Sequence, residues 1–272
     1  MFKVNRRELL RTGVAAVGAA TITVPGTAAA WPALDPSAPG WTARFARPHG
    51  QRGSYGVEVI WQRPAERPSV AISFDDGPHP DFTPMVLDAL KRRGVPATFF
   101  TMGIHAHAYP DLVRRARDEG HEIGNHTWSH PDLSQVPQRE ADWQLSSTHD
   151  LLERLVGQPP ALFRPPYGKV DGVGLLAAAA HGYRVALWSE TLRGAHAGKA
   201  AVGVVRDIEN GGIVLMHDSG PAASMELIRV LDSFLVHLRR RGYAFATIGD
   251  MIGVPRSPAI APGPPRPTSP AP

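Results

Sequence analysis

Val70-Ala-Ile-Ser-Phe-Asp-Asp-Gly-Pro-His79 begins as an apolar, β-branched run, breaks into two adjacent carboxylates and turns at Gly77-Pro78. A short apolar run closed by a Gly-Pro turn reads as a buried strand, here over 70–74. Such a strand delivers Asp75 and Asp76 to its C-terminal end. Two like charges at the mouth of a core strand are costly unless something neutralises them, and a bound cation is the simplest partner.

Outward from this strand the pattern alternates. Strands are expected at 97–101, 121–124, 161–163, 184–188, 213–216 and 244–247, with a further short one within 55–62. Helices are expected between them at 81–93, 109–119, 138–156, 173–180, 200–208 and 224–240, several ended by a glycine. Repeated βα units with glycine stops predict an α/β fold with parallel strands and crossover helices. Seven or eight such units point to a barrel of the TIM type in a single catalytic domain over 67–253.

The flanks differ in composition. Residues 1–30 carry a basic start around Arg6-Arg7, a modest apolar run and Ala28-Ala29-Ala30 before Trp31, which reads as a cleavable export signal of twin-arginine type. The apolar run is too short and too rich in Gly and Thr for a comfortable membrane span, so no stable span is expected once the signal is removed. Residues 31–66 read as an N-terminal extension packed on the domain, and 254–272 as a disordered Pro-rich tail.

The 272-residue chain has no cysteine, which excludes disulfides, thiolate metal sites and cysteine nucleophiles. Any metal must be held by His, Asp or Glu, and there are 12 histidines to draw on. The net charge of +4 is concentrated in the signal, where four basic residues face only Glu8. The remainder is close to neutral, so no nucleic-acid partner is expected. Arg239-Arg240-Arg241 fits the basic last turn of a helix.

The unusual polar residues fall at strand ends. Asp75 and Asp76, His126 and His130, Arg164, Glu190, and His217 with Asp218 each follow a different predicted strand. In a parallel barrel these ends share one face, where active sites are built. His126-Thr-Trp-Ser-His130 places two imidazoles four residues apart, a spacing that shares one face on a helical turn. Alone, that pair is more often two surface histidines. Together with Asp76 it makes a two-histidine, one-carboxylate set that leaves positions open for water and substrate, as in a catalytic zinc site. Asp75 is then free to take a proton from a metal-bound water. Arg164 either orients Asp75 or closes a salt bridge at the rim. Phe163-Arg-Pro-Pro-Tyr-Gly168 is a stiff loop that is either a plain turn or a holder for the Tyr167 N–H as an oxyanion donor. His217 is either a satisfied core histidine or a general acid, the rim position favouring the latter. His79 is expected to line the site, and the other histidines to be structural.

Ser73-Phe-Asp-Asp-Gly-Pro78, His126-Thr-Trp-Ser-His130, Arg164-Pro-Pro-Tyr167 and Ile213-Val-Leu-Met-His217, in this order, resemble the polysaccharide deacetylases of carbohydrate esterase family four. The resemblance runs from about Arg67 to Gly253 and includes the text Gly120-His-Glu-Ile-Gly-Asn-His126. It implies a distorted (β/α) barrel and a divalent metal, usually zinc, on Asp76, His126 and His130. It further implies Asp75 as base, Arg164 as its positioner, the Tyr167 N–H in the oxyanion hole and His217 as acid. Leu215, Trp188 and Pro165 are implied to shape the substrate pocket. One motif departs: Trp188-Ser-Glu-Thr-Leu-Arg-Gly194 stands where the family commonly carries an Asp-x-x-Asp-Trp stretch. Arg193-Gly194 replaces its Asp-Trp, so His217 is expected to lack its usual carboxylate partner.

The implied activity is removal of N-acetyl groups from an external β-linked amino-sugar polymer by an exported, monomeric enzyme whose partner is the acetylated glycan. An acetylxylan esterase, a weakly catalytic wall-glycan binder and a non-glycan amide hydrolase are the competing readings.

Overall fold

The computed structural model describes residues 57–192, 208–220, 223 and 225–254, all within one compact unit. The expected export signal, most of the N-terminal extension, helix positions 200–207, Arg193-Gly194 and the tail from 255 onward lie outside the described residues.

Among the described residues nine strands form one sheet: β1 (Val59–Ile60), β2 (Ser69–Asp75), β3 (Thr98–Thr101), β4 (Glu122–Asn125), β5 (Leu162–Phe163), β6 (Arg184–Ala186), β7 (Glu190–Thr191), β8 (Gly212–His217) and β9 (Ala244–Ala246). Eight follow the order β1-β6-β5-β4-β3-β2-β8-β7, and β9 joins beside β2. Every strand pairing is parallel. The fold is the distorted TIM-like barrel expected from the sequence. It has one strand more than the predicted seven or eight, because Glu190–Thr191 forms a two-residue strand too short to leave a pattern.

β2 is the axis of this sheet. It pairs β8 along its length, whereas its other edge is shared, β9 taking Ser69 to Ala71 and β3 taking Ser73 to Asp75. Both faces of β2 are covered, which is why its sequence is a continuous apolar run. Val70, Ile72 and Phe74 belong to the large outer core, with helices α1 (Phe82–Arg93) and α6 (Met225–Arg240). Ala71 lies in a separate cluster with Phe100, Ile213 and Ile248. The period of two therefore puts Ala71, Ser73 and Asp75 on the inner face, apolar below and charged at the top.

The sheet ends meet without a continuous ladder. Gln62, just past β1, makes an isolated antiparallel bridge to Gly212 at the foot of β8. Arg63 N–H donates to the Gly211 carbonyl at 2.8 Å. Asn210 ties the same place together, accepting from Ser69 N–H and donating to the Ala65 carbonyl.

The remaining helices are α2 (Gly103–Ala108), α3 (Pro110–Asp118), α4 (Gln138–Val156), α5 (Gly172–Ala180) and α7 (Ile248–Met251). Among the described residues no helix is long and apolar enough to cross a membrane.

Candidate active site

Register places Asp75 and His217 side by side. Ser73 lies beside Leu215 and Asp75 beside His217 in the β2–β8 ladder. The inner face thus carries Ala71 and Ile213, then Ser73 and Leu215, then Asp75 and His217 at the top. Leu215 is 4% exposed directly below the charged layer.

Arg164, at the end of β5, is wholly buried and crosses the barrel top. Its Nη1 donates to Asp75 Oδ1 at 2.7 Å and to Ser73 Oγ at 2.9 Å. Nε donates to the Ala186 carbonyl and Nη2 to the Leu187 carbonyl. The guanidinium lies 4.0 Å from the Phe100 ring centroid, with Trp188 on another side at 5.6 Å. A buried cation needs this saturation of donors, because each unmet one would keep its desolvation cost. The contacts combine the two readings open from sequence: the Arg164–Asp75 pair is a salt bridge at the barrel top, and the same contact holds Asp75 Oδ1.

Asp76 adopts φ 72°, a left-handed conformation that turns its side chain away from that of Asp75. Its Oδ1 is buried with no hydrogen-bond partner among the described residues and lies 3.4 Å from both His126 Nε2 and His130 Nε2. These three ligand atoms lie within 4.8 Å of one another. A tetrahedral ion with ligands at about 2.1 Å has edges of about 3.4 Å, so the set fits a divalent cation. The His126 ring is fixed by Nδ1–H donating to the Arg164 carbonyl at 2.7 Å, which turns Nε2 to the site. His105 Nδ1–H donates to the Asp76 carbonyl at 2.6 Å.

The charges in this set are strongly coupled. Burial opposes ionisation of Asp76, but the approach and charge of His126, then of His130 and His217, outweigh it and hold the carboxyl down at about 2. Burial and the neighbouring His126 charge push His130 down to about 4. For His126 burial is outweighed by Asp75 and Asp76, and its pKa is raised.

The helical turn expected over residues 126–130 does not form. Thr127 and His130 have φ of 66° and 62°, and the segment is an irregular loop. The imidazoles still meet, with ring centroids 4.9 Å apart. His79 is also not a site residue: its Nδ1 accepts from Asp81 and Phe82 N–H groups, capping α1, and its ring packs on Phe82.

Pro165 is buried, Trp188 half-buried and Tyr167 63% exposed around the opening. The Tyr167 ring packs edge-on against His130 at 4.6 Å, and its backbone is left-handed at φ 61°. Gly168 follows because a Cβ there would stand 2.7 Å from the Trp188 ring. Across the opening, His217 Nε2 is 4.0 Å from Asp76 Oδ2. Burial lowers the His217 pKa, against the pull of Asp75 and Asp76, and its Nδ1 is buried with no hydrogen-bond partner among the described residues.

The sequence pattern of the polysaccharide deacetylases matches residues 62–186. A peptidoglycan-N-acetylglucosamine deacetylase of Bacillus cereus is 35% identical over 199 residues, covering 71% of this chain and 92% of the relative. The chain belongs to the polysaccharide deacetylase family. A chitooligosaccharide deacetylase of Sinorhizobium fredii is 38% identical over 158 residues, 57% of this chain and 74% of that protein. Among solved structures, a peptidoglycan N-acetylglucosamine deacetylase in complex with an N-oxidanyl-benzamide superposes with a TM-score of 0.68 at 34% identity, over 72% of this chain and 92% of that one.

Within this family framework, Ser73, His105 and Gln144 escape the sequence reading, and Asp218 is singled out there only for its place at a strand end, without a role. Ser73 passes the Arg164 contact on, donating to the Val214 carbonyl. His105 holds the Asp76 backbone. Asp218 is 1% exposed, accepts from Thr83 Oγ1 at 2.5 Å and crowds Gly77, where a Cβ would lie 2.3 Å from its oxygens. Gln144 reaches the 126–130 loop from α4. Its only signal in sequence is a polar residue on the buried stripe formed with Ala141, Leu145, Thr148 and Leu152.

Proposed function

We propose that this polysaccharide deacetylase removes N-acetyl groups from a β-linked amino-sugar polymer, of the peptidoglycan or chitin type, outside the cytoplasm. The observation that carries the proposal is the division of labour between two adjacent carboxylates: Asp75 is bound by Arg164, while Asp76 faces two imidazoles. A divalent cation, zinc by its N/O donors, held by Asp76, His126 and His130 supplies Lewis-acid polarisation of the acetamide carbonyl and a more acidic water.

Asp75, held through Oδ1, accepts the proton of the attacking water at Oδ2. The Tyr167 N–H donates to the oxyanion of the tetrahedral intermediate. Leu215 forms the floor under the acetyl methyl, with Pro165 and Trp188 along the wall. His217 Nε2–H gives its proton to the leaving amine nitrogen as the C–N bond breaks. One water is consumed, and acetate and a free amino sugar are released. Export by the twin-arginine route and action as a monomer complete the reading.

The test is acetate release from N-acetylated chitooligosaccharide and peptidoglycan, with acetylated xylan as comparison. Activity on the amino-sugar substrates that is lost on chelation and restored by zinc is expected. Full activity after chelation overturns the metal role. Preference for xylan overturns the substrate class, and glycan binding without acetate release overturns the catalytic reading.

A further inference from the structure

The two histidines of the proposed metal set are held by different means. The His126 ring is pinned by the Arg164 carbonyl. No hydrogen bond from the described residues holds the His130 ring in the same way, so its placement depends on the backbone of the loop that carries it. That loop contains two left-handed non-glycine residues, Thr127 and His130, each costing on the order of 1–3 kcal/mol unless its surroundings enforce it.

The enforcement is specific. Thr127 N–H donates to Asn125 Oδ1 at 2.8 Å and His130 N–H to Thr127 Oγ1 at 3.1 Å. The two amides between them, of Trp128 and Ser129, both donate to one atom, Gln144 Oε1, at 2.9 Å each. Gln144 Nε2 then donates to Ser129 Oγ at 2.9 Å. The other edge of the loop is held by α2, whose Gly103 and Ile104 amides donate to the Thr127 and Trp128 carbonyls. Gln144 is 3% exposed and sits in the middle of a 19-residue helix, so its amide is delivered by a rigid element. Its own carbonyl accepts from Thr148 one turn on.

We infer that Gln144 is a positioning residue for the metal set, clamping the 126–130 loop so that the His130 imidazole faces Asp76. The inference rests on the metal reading above but concerns a residue outside the ligand set. An apolar side chain would take the shared acceptor away from the part-buried Trp128 and Ser129 N–H groups and free the loop to relax out of its left-handed residues. A glutamate would keep the oxygen that accepts from both amides, and its second oxygen could accept a hydrogen bond from the Ser129 hydroxyl.

The experiment measures zinc affinity of the full chain by competition with a chromophoric chelator, for the parent, Gln144→Leu, Gln144→Glu and His130→Ala. Gln144→Leu should weaken zinc binding about 10–100-fold, the range for groups that orient metal ligands, while Gln144→Glu stays within about threefold of the parent. The gain in Tm on adding zinc should shrink for Gln144→Leu, whereas a purely structural role would lower Tm equally with and without the metal. Parent-like affinity in Gln144→Leu overturns the inference alone. A parent that binds no zinc, or binds it unchanged after His130→Ala, overturns the metal reading and the inference with it. Should the leucine variant not fold, Gln144→Asn, whose shorter amide cannot reach both N–H groups, takes its place with the same expectation.

Discussion

On the β2–β5 side of the site, Arg164 donates from all three guanidinium nitrogens, to Asp75, Ser73 and two backbone carbonyls. On the β8 side, two buried atoms, His217 Nδ1 and Asp218 Oδ1, have no hydrogen-bond partner among the described residues. The proposed base is therefore held in one orientation by a network whose parts support each other, while among the described residues no hydrogen bond to Nδ1 fixes the ring of the proposed acid. Preorganisation is concentrated where the reaction begins, and losses on the two sides should differ in size and in kind.

The strongest way to break this comparison is Asp75→Asn. It keeps the shape and removes the base, and kcat should fall by about 10³-fold, within the usual range for a lost general base, with zinc content unchanged. Near-parent turnover by acetate assay would move the base elsewhere. His217→Ala should cost less, about 10²-fold, and should remove the alkaline limb of the kcat profile. The acid works only when protonated, and burial lowers its pKa. In the parent, activity should thus be lost as pH rises through a midpoint below the ordinary histidine value. A limb that persists in the alanine variant would belong to another group.

Asp218→Asn tests the loose side with the smallest effect on turnover. Burial pushes Asp218 up to about 7 from 3.8, only partly offset by the Thr83 hydroxyl, so its proton is bound more tightly in the folded than in the unfolded chain. Stability of the metal-free protein should be greatest below about pH 4 and fall by a few kcal/mol as pH rises to about 7. Urea unfolding of the asparagine variant should lack most of that fall. An unchanged slope would assign it to other groups.

The barrel was legible because its strands are short apolar runs ending in chemistry, and 70–74 is the clearest of them. The candidate cluster was legible too: Asp76, His126 and His130 are residue types that cysteine's absence leaves as available donors, and the structure brings the three together. The path by which they meet was not. Spacing alone suggested a helical turn, but the histidines converge through Thr127 and His130 in left-handed conformations imposed by Asn125 and Gln144. Asn125 acts locally, from the end of the strand that leads into the loop, but Gln144 comes from another helix, and no local pattern encodes its contact. α2 was likewise hidden, being six residues long with no side-chain cap. Nor does the sequence show that the Arg164 guanidinium, while paired with Asp75, also donates to Ser73 and two backbone carbonyls.

The joint at Gln62 and Gly212 has a mechanical meaning. β1 and β7 are two residues each, and the ends of the sheet are tied there by one isolated bridge, the Arg63 N–H to the Gly211 carbonyl, and the side chains of Gln62 and Asn210. Elsewhere β2 and β8 are laced over six residue pairs. The cylinder thus has a seam, a line along which it can breathe at the cost of a few hydrogen bonds while the ladder that aligns Asp75 with His217 stays shut.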